Sequence, residues 1–323
     1  MAEFSRNIYE QQNSNKRNTV IIMVLFAAFL GLLGLGADVY FLRFGNDGFP
    51  FPVLTIVAVL FGCWNAVWSL NQGASTVLSS AGAIPVSEKD PKYQVLRNIV
   101  EEMSIASGLP KPSLYVIPDP DPNAFATGKD PAHASIAVTE GLLEKLDREE
   151  LQGVIAHEIS HIRNYDIRMM TVVAALIGAV ILVSEISLRS GRFSGVRRSS
   201  SPSKKGGDGG IVLLIVWLVS VIVAPLVARV LAMAVSRQRE FLADASSAEL
   251  TRNPRALAAA LQKISLAVEP TRLIKRGTAH LCIADPLGGK INESEGFMAE
   301  LFGTHPPIQK RITLLRAMAY HFE

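Results

Sequence analysis

The chain has 323 residues, of which 49% are hydrophobic, 19% charged and 7% aromatic, and its formal net charge is +3. This apolar content excludes an intrinsically disordered protein, and the small net charge argues against a nucleic-acid-binding protein. The two cysteines, Cys63 and Cys282, cannot form a disulfide scaffold and belong to no metal-binding cysteine pair.

Four apolar segments hold much of the hydrophobic content. The first extends from Val20 to Leu42 with one acidic residue, Asp38, and the second extends from Val53 to Leu70. The third and fourth are Met169–Ser184 and Gly209–Ala228. Because a bilayer core takes roughly 20 helical residues, these lengths predict membrane helices; buried helices of a large soluble core are the alternative. The long polar lead before the first segment favours an uncleaved anchor over a signal peptide.

The residues between the second and third apolar segments have an ordinary globular composition. Ser87–Pro91 predicts a helix start and Gly108 its end, because glycine readily adopts the left-handed conformation that follows many helices. Short strands are predicted at Ser113–Ile117 and Ser135–Thr139, with a turn over residues 118–122 between them.

Further elements are predicted around and beyond the fourth apolar segment. Ser194–Gly210 is rich in serine, glycine, lysine and arginine and is typical of a flexible loop. Helices are predicted near Gln238–Glu249, from Asn253 onward and from about Pro306.

The strongest functional signal is an H-E-x-x-H motif formed by His157, Glu158 and His161. A capping box at Asp147–Glu150 predicts a helix that begins near Arg148. The spacing of four residues then projects both histidines from one helix face, where they can bind a zinc ion. Glu158 lies beside the metal, where a base can take a proton from the attacking water. The alternatives are two surface histidines around a solvated glutamate, and a structural zinc with a fourth protein ligand.

A catalytic zinc of this kind takes a third protein ligand, which is a glutamate in thermolysin-like sites. Glu240 is the candidate, and Asp244 follows one helical turn later, where it can accept a hydrogen bond from a ligand histidine. The alternative is a solvated face on which both carboxylates pair with the nearby arginines.

The motif, the two apolar segments after it and the sequence S-R-Q-R-E-F-L-A-D at residues 236–244 resemble the HtpX family of membrane zinc metalloproteases. This family is related to the CAAX prenyl proteases, and the resemblance covers nearly the whole chain. It implies a single zinc ion held by His157, His161 and Glu240, with Glu158 as the general base and acid.

The resemblance also implies roles in substrate binding. It puts Asn123, Ala124 and Phe125 at the edge of the cleft, where an extended substrate adds as a strand. It further implies that His305, and with it Arg311, donates hydrogen bonds to the oxyanion of the tetrahedral intermediate. From the residues alone, Asn123 is a turn residue and His305 simply precedes a helix that begins with proline.

The zinc hypothesis constrains the membrane topology, because His161 precedes the third apolar segment and Glu240 follows the fourth. Both residues must reach one ion, so the last two segments form a hairpin that spans the bilayer or lies at its surface. The basic residues before the first segment predict that the N-terminus and the active site face the cytoplasm. The basic residues of the loop between the third and fourth segments oppose this bias.

These inferences predict a mainly α membrane protein with an α+β catalytic domain. It combines four apolar helical segments with a zincin-type metalloprotease domain that has a small edge sheet. The expected parts, in chain order, are a cytoplasmic N-terminal segment, a transmembrane hairpin, a first catalytic part, a second apolar hairpin with a flexible loop at 189–210, and a second catalytic part (residues 1–18, 19–70, 71–168, 169–235 and 236–323).

The predicted function is that of a zinc endopeptidase in the plasma membrane of a prokaryote. The resemblance implies that it cleaves cytoplasmic segments of misfolded or damaged membrane proteins. Its partners are then polypeptide substrates and the lipid bilayer, with no nucleic acid. Two alternatives remain: a CAAX-type prenyl-protein protease, which is expected to have more than four spans, and a non-catalytic membrane scaffold with a structural zinc.

Overall fold

The structure is a computed structural model that describes residues 8–44, 51–178, 237–266, 281–283 and 306–319. Its helices are α1 (Ile8–Phe44), α2 (Val53–Ser80), α3 (Gln94–Ser107), α4 (Glu140–Lys145), α5 (Arg148–Arg163), α6 (166–178), α7 (Arg237–Thr251), α8 (Pro254–Ser265) and α9 (Ile308–Ala319). Its strands are β1 (Ile84–Pro85), β2 (Ser113–Ile117), β3 (Ala124–Gly128) and β4 (Ala134–Thr139).

Helices α1 and α2 correspond to the first two apolar segments. Two stretches of the described residues, Glu10–Gly36 and Val53–Ser80, are long and apolar enough to cross a bilayer. Many of their large apolar side chains are exposed on the isolated chain, as expected for residues that contact lipid. Helix α1 begins at Ile8 and so includes polar residues that precede Val20.

Small residues bring α1 and α2 into close contact. A Cβ atom added at Gly34 would lie 2.7 Å from the carbonyl oxygen of Leu54. Asp38 accepts hydrogen bonds from the backbone N–H groups of Leu54 and Thr55 at 3.0 and 2.7 Å. The Asp38 side chain of α1 therefore satisfies backbone N–H groups in the first turn of α2, which have no partner within that helix.

The four strands form one mixed sheet in the order β1-β2-β4-β3. Strands β2 and β4 are parallel, and the other two pairs are antiparallel. Strand β3, at an edge of the sheet, has Ala126 paired in register with Ile136 of β4. The predicted strands at 113–117 and 135–139 are confirmed within one residue, whereas the sequence did not predict β1 or β3 as strands.

The globular helices begin and end close to the predicted positions. The capping box at the start of α5 is present, with Asp147 accepting from the Glu150 N–H and Glu150 accepting from the Asp147 N–H, both at 2.9 Å. Gly108 ends α3 with a φ of 69°. Helix α3 itself begins at Gln94, later than Ser87–Pro91 predicts, because a 3₁₀ turn over Pro91–Tyr93 precedes it. The apolar face of α5 packs against the sheet, α3 and α8 in the main hydrophobic core.

The third apolar segment is described only in part. Helix α6 contains its first ten residues, whose apolar side chains are mostly buried, and Met169, Val173 and Leu176 pack against Ile22 and Phe26 of α1. The rest of this segment, the fourth segment and the predicted loop at 189–210 lie outside the described residues. The prediction of four spanning helices is therefore supported for the first two segments only.

Candidate metal centre

The histidines of the motif lie on adjacent turns of α5 and face each other. Their Nε2 atoms are 3.2 Å apart, and both side chains are buried. Helical periodicity sets this proximity, because residues four apart are neighbours on one helix face.

Helix α7 brings Glu240 to the same point from a distant part of the chain. Its Oε2 atom lies 3.8 Å from His157 Nε2, and its Oε1 atom lies 3.6 Å from His161 Nε2. One ligand atom from each of these three side chains lies within 4.8 Å of the others, and Glu240 is 1% exposed. Glu240 and Asp244 are 1% and 2% exposed, so the alternative that they lie on a solvated face is wrong.

The donor set and its spacing fit a zinc ion. Two imidazole nitrogens and a carboxylate are the ligands of thermolysin-like catalytic zinc sites. Ligand atoms bound tetrahedrally at about 2.1 Å would be separated by about 3.4 Å, which is close to the observed separations. The three side chains can thus hold one zinc ion with small movements of their ends.

Asp244, which the sequence predicts as a partner of a ligand histidine, lies next to the first histidine. Its Oδ1 atom lies 3.0 Å from His157 Nδ1. Arg311 of α9 donates to both oxygens of Asp244, from Nε at 2.9 Å and from Nη2 at 2.7 Å. Burial acts against ionisation of Asp244, but the Arg311 guanidinium outweighs it and lowers the pKa of this carboxyl group. The pair therefore provides an ionised acceptor that fixes the orientation of the imidazole.

The resemblance predicts that Arg311 donates a hydrogen bond to the oxyanion of the bound substrate. Its side chain is 1% exposed, its Nη1 atom donates to the carbonyl of Ile283 at 2.9 Å, and the same atom lies 3.4 Å from Glu240 Oε2. These contacts put it next to the three side chains that could hold a metal ion, and a direct contact with substrate stays a prediction. His305, the other expected oxyanion donor, lies outside the described residues.

Asp166 supports the second histidine, and sequence reasoning missed this residue. Its Oδ2 atom lies 3.0 Å from His161 Nδ1, and its side chain is completely buried. Burial opposes the charged imidazolium of His161, but hydrogen bonding to Asp166 and the charge of Glu240 outweigh it and raise the pKa of His161 to about 9. Asp166 follows the end of α5, so the periodicity of that helix does not predict where its side chain lies. The signals in the sequence are that Asp166 is only five residues after His161 and that it carries a carboxylate.

Glu158 lies within the same buried cluster. Burial raises the pKa of Glu158 to about 7, and the carboxylate of Glu240 adds to this rise, while His161 and the backbone of Ala126 act against it. A carboxyl group with a pKa near neutrality is suited to exchange a proton with a reacting group at physiological pH. The cluster thus combines a set of side chains that could hold a metal ion with a separate carboxyl group suited to proton transfer.

The expected substrate edge coincides with β3. Ala124, Phe125 and Ala126 lie in this edge strand, and Asn123 immediately precedes it. The backbone of Ala126 interacts with Glu158, so the outer side of β3 adjoins this carboxyl group. The Ala124 carbonyl accepts a hydrogen bond from Ile283 N–H at 3.0 Å, and the Phe125 side chain is buried in an apolar cluster. These residues can therefore meet a substrate mainly through backbone groups.

Several known proteins are similar to this chain. Residues 91–319 match the profile of Peptidase family M48. The chain is 44% identical over 313 residues to a "Protease HtpX homolog" of Thermoanaerobacter pseudethanolicus, covering 97% of this chain and 98% of the relative. It is 40% identical over 311 residues to a protein of the same description from Streptococcus gordonii, covering 96% and 100%. The crystal structure of S. mikatae Ste24p is similar with a TM-score of 0.46 and 17% identity, covering 94% of this chain and 66% of that protein.

Proposed function

Because the chain belongs to Peptidase family M48, we propose that His157, His161 and Glu240 hold one catalytic zinc ion and that Glu158 is the general base. The chain is a membrane metalloprotease, and the HtpX protease homologues match it over almost its whole length. The observation that carries the zinc proposal is the convergence of these three buried side chains at separations suited to one ion.

The residues of the chain divide the chemistry among them. When bound, the zinc ion polarises the substrate carbonyl and makes a water molecule more acidic. Glu158 takes a proton from the attacking water and passes it to the nitrogen of the leaving amine. Asp244 and Asp166 hold His157 and His161 in the orientation that directs Nε2 toward the metal, and burial of the cluster strengthens each of these interactions.

We further propose that the substrate binds as an extended strand along β3. The contact between the Ala126 backbone and Glu158 supports this, because a peptide at this edge would lie beside the acid–base group. A peptide that pairs at Ala124 must first displace the N–H of Ile283 from that carbonyl.

The substrate class that we propose is the cytoplasmic segments of misfolded or damaged membrane proteins. The proximity of the metal-binding helix to the membrane helices supports it, since Gln12 of α1 donates to the carbonyl of Arg163 at the end of α5. A site so close to the bilayer surface is suited to chains that are already tethered to the membrane.

The function is tested with the full-length protein purified in mild detergent and loaded with one zinc ion per chain. A membrane protein with a destabilised cytoplasmic domain is expected to be cut within that domain, while the same protein with the folded domain is cut at least several-fold more slowly. Release of a C-terminal tripeptide from a prenylated peptide, without cleavage of the unfolded domain, would instead assign a CAAX-type protease.

The active site is expected to face the cytoplasm of a prokaryotic cell. A cysteine introduced at Glu144, an exposed residue of α4, should be protected from a membrane-impermeant thiol reagent in intact cells and labelled after permeabilisation. A cysteine introduced at Asp47, between the first two apolar segments in sequence, should show the opposite pattern. Labelling of the Glu144 position in intact cells would reverse the proposed orientation.

A further inference from the structure

The polar end of α1 contacts the end of the metal-binding helix. Gln12 Nε2 donates to the carbonyl of Arg163 at 2.8 Å, and Asn15 Nδ2 donates to the carbonyl of Asn164 at 2.9 Å. The last carbonyls of a helix have no partner within it, so these two side chains supply hydrogen-bond donors that the helix itself lacks.

The turn between α5 and α6, which α1 contacts, contains a residue with a positive φ angle. Tyr165, between α5 and α6, has a φ of 60°, a conformation that non-glycine residues rarely adopt. Lys16 Nζ lies 4.0 Å from the centre of the Tyr165 ring, a cation–π contact that holds the tyrosine against α1. Helix α1 therefore packs on the turn that directs Asp166 back toward the metal centre.

Asn15 also contacts Asp166 directly. Its Nδ2 atom donates to Asp166 Oδ1 at 2.6 Å, while Asp166 Oδ2 is the atom 3.0 Å from His161 Nδ1. The Oδ1 atom of Asn15 accepts from Arg239 Nη1 at 3.4 Å. A primary amide has two N–H donors and one carbonyl acceptor, and the contacts of Asn15 use all of these groups.

These contacts form one buried chain from the membrane helix to a metal-binding side chain. Asn15, Asp166 and His161 are 3%, 0% and 4% exposed, so water cannot replace a lost partner easily. The carboxylate that orients His161 is thus itself oriented from α1, and by Arg239, whose Nε atom lies 3.9 Å from Asp166 Oδ1.

We propose that Asn15 is a positioning residue for the metal centre. It fixes the Asp166 carboxylate that orients His161, so the polar end of the first membrane helix is part of the metal site as well as an anchor. This inference rests on the proposed zinc function. It adds Asn15, which precedes His157 by 142 residues, to the residues that shape the metal site. A purely structural role is the competing explanation, in which Asn15 only attaches α1 to α5.

The test measures zinc binding to the full-length protein in detergent by competition with a chromophoric chelator. Asn15→Ala is expected to lower zinc affinity by less than the about 10–100-fold that loss of Asp166, the direct partner of His161, would cause. The absorption spectrum of the Co²⁺-substituted protein should change as well, because it reports ligand geometry. Asn13→Ala, at an exposed asparagine of the same helix, should leave both quantities unchanged.

Two further variants separate positioning from attachment. Gln12→Ala removes a contact between α1 and α5 without touching Asp166, so it should leave zinc affinity and the Co²⁺ spectrum unchanged even if thermal stability falls. In an Asp166→Ala background, Asn15→Ala should cause no further loss of zinc affinity, because its effect passes through that carboxylate. If Asn15→Ala does not fold, Asn15→Ser gives the same comparison with a smaller change of polarity.

Wild-type zinc affinity in Asn15→Ala, or a loss that is additive with Asp166→Ala, would overturn the positioning role. A loss as large in Gln12→Ala would assign the effect to attachment of α1 and would overturn it too. Failure of the proposed function is a different result, since the wild-type protein itself would then bind no stoichiometric zinc and cleave no polypeptide.

Discussion

Glu158→Gln is expected to lower kcat/KM for polypeptide cleavage about 10²–10⁴-fold, the usual contribution of a general base. The amide has nearly the same size as the carboxylate but cannot take a proton from water at neutral pH. Since Glu158 is not among the three proposed ligands, bound zinc should stay at one ion per chain. The effect should therefore appear in the chemical step with the metal site intact.

The measurement pairs initial cleavage rates with zinc content on the same preparations. Glu149→Gln is the matched control on the same helix, because Glu149 is exposed and its replacement can still accept the hydrogen bond from Asn253. Unchanged cleavage in Glu158→Gln would remove this residue from the mechanism. Loss of cleavage together with loss of zinc would instead indicate that Glu158 helps to hold the metal.

Glu240→Gln is expected to reduce zinc affinity strongly, because it removes a charged ligand. The loss should be at least as large as the about 10–100-fold that follows removal of a group hydrogen-bonded to a ligand. At limiting zinc, cleavage should fall to the level of wild-type protein that has been stripped with a chelator. Added zinc should restore the stripped wild-type protein fully and the variant poorly.

Glu249→Gln is the control on the same helix, because Glu249 is exposed and lies away from the ligands. Its zinc content and cleavage should match those of the wild-type protein. Full zinc binding by Glu240→Gln would exclude Glu240 as the third ligand. Cleavage that survives chelation in the wild-type protein would exclude a catalytic role for zinc altogether.

Local signals explain which parts of the site were predictable. The capping box of Asp147 and Glu150 and the spacing of His157 and His161 act within one or two helical turns, so their geometry follows from the order of residues. Gly108 ended a helix for the same reason. Glu240 could be selected because it lies in a short sequence that resembles a known family, although nothing local distinguishes it from a solvated glutamate.

Other features depend on contacts that no local pattern reveals. The residues of β3 follow a Pro/Asp run that is typical of a turn, and they become a strand because they pair with β4. Asp166 follows the end of α5, beyond a turn with positive φ at Tyr165, so helical periodicity gave it no defined direction. The polar residues around Asn15 form the first turns of a long helix, and their contacts with α5 are not visible in the local sequence.

By itself, the sequence determined the presence of long apolar helices and of one capped helix that presents His157, Glu158 and His161. Capping and helical periodicity act over a few residues, and hydropathy needs only a continuous segment. Only the tertiary structure decided that Glu240, Asp166 and Asn15 meet at that helix. The hydrogen bond between Asn15 and Asp166 joins residues 151 positions apart, and such contacts arise from the burial and packing of whole helices, which local spacing does not specify.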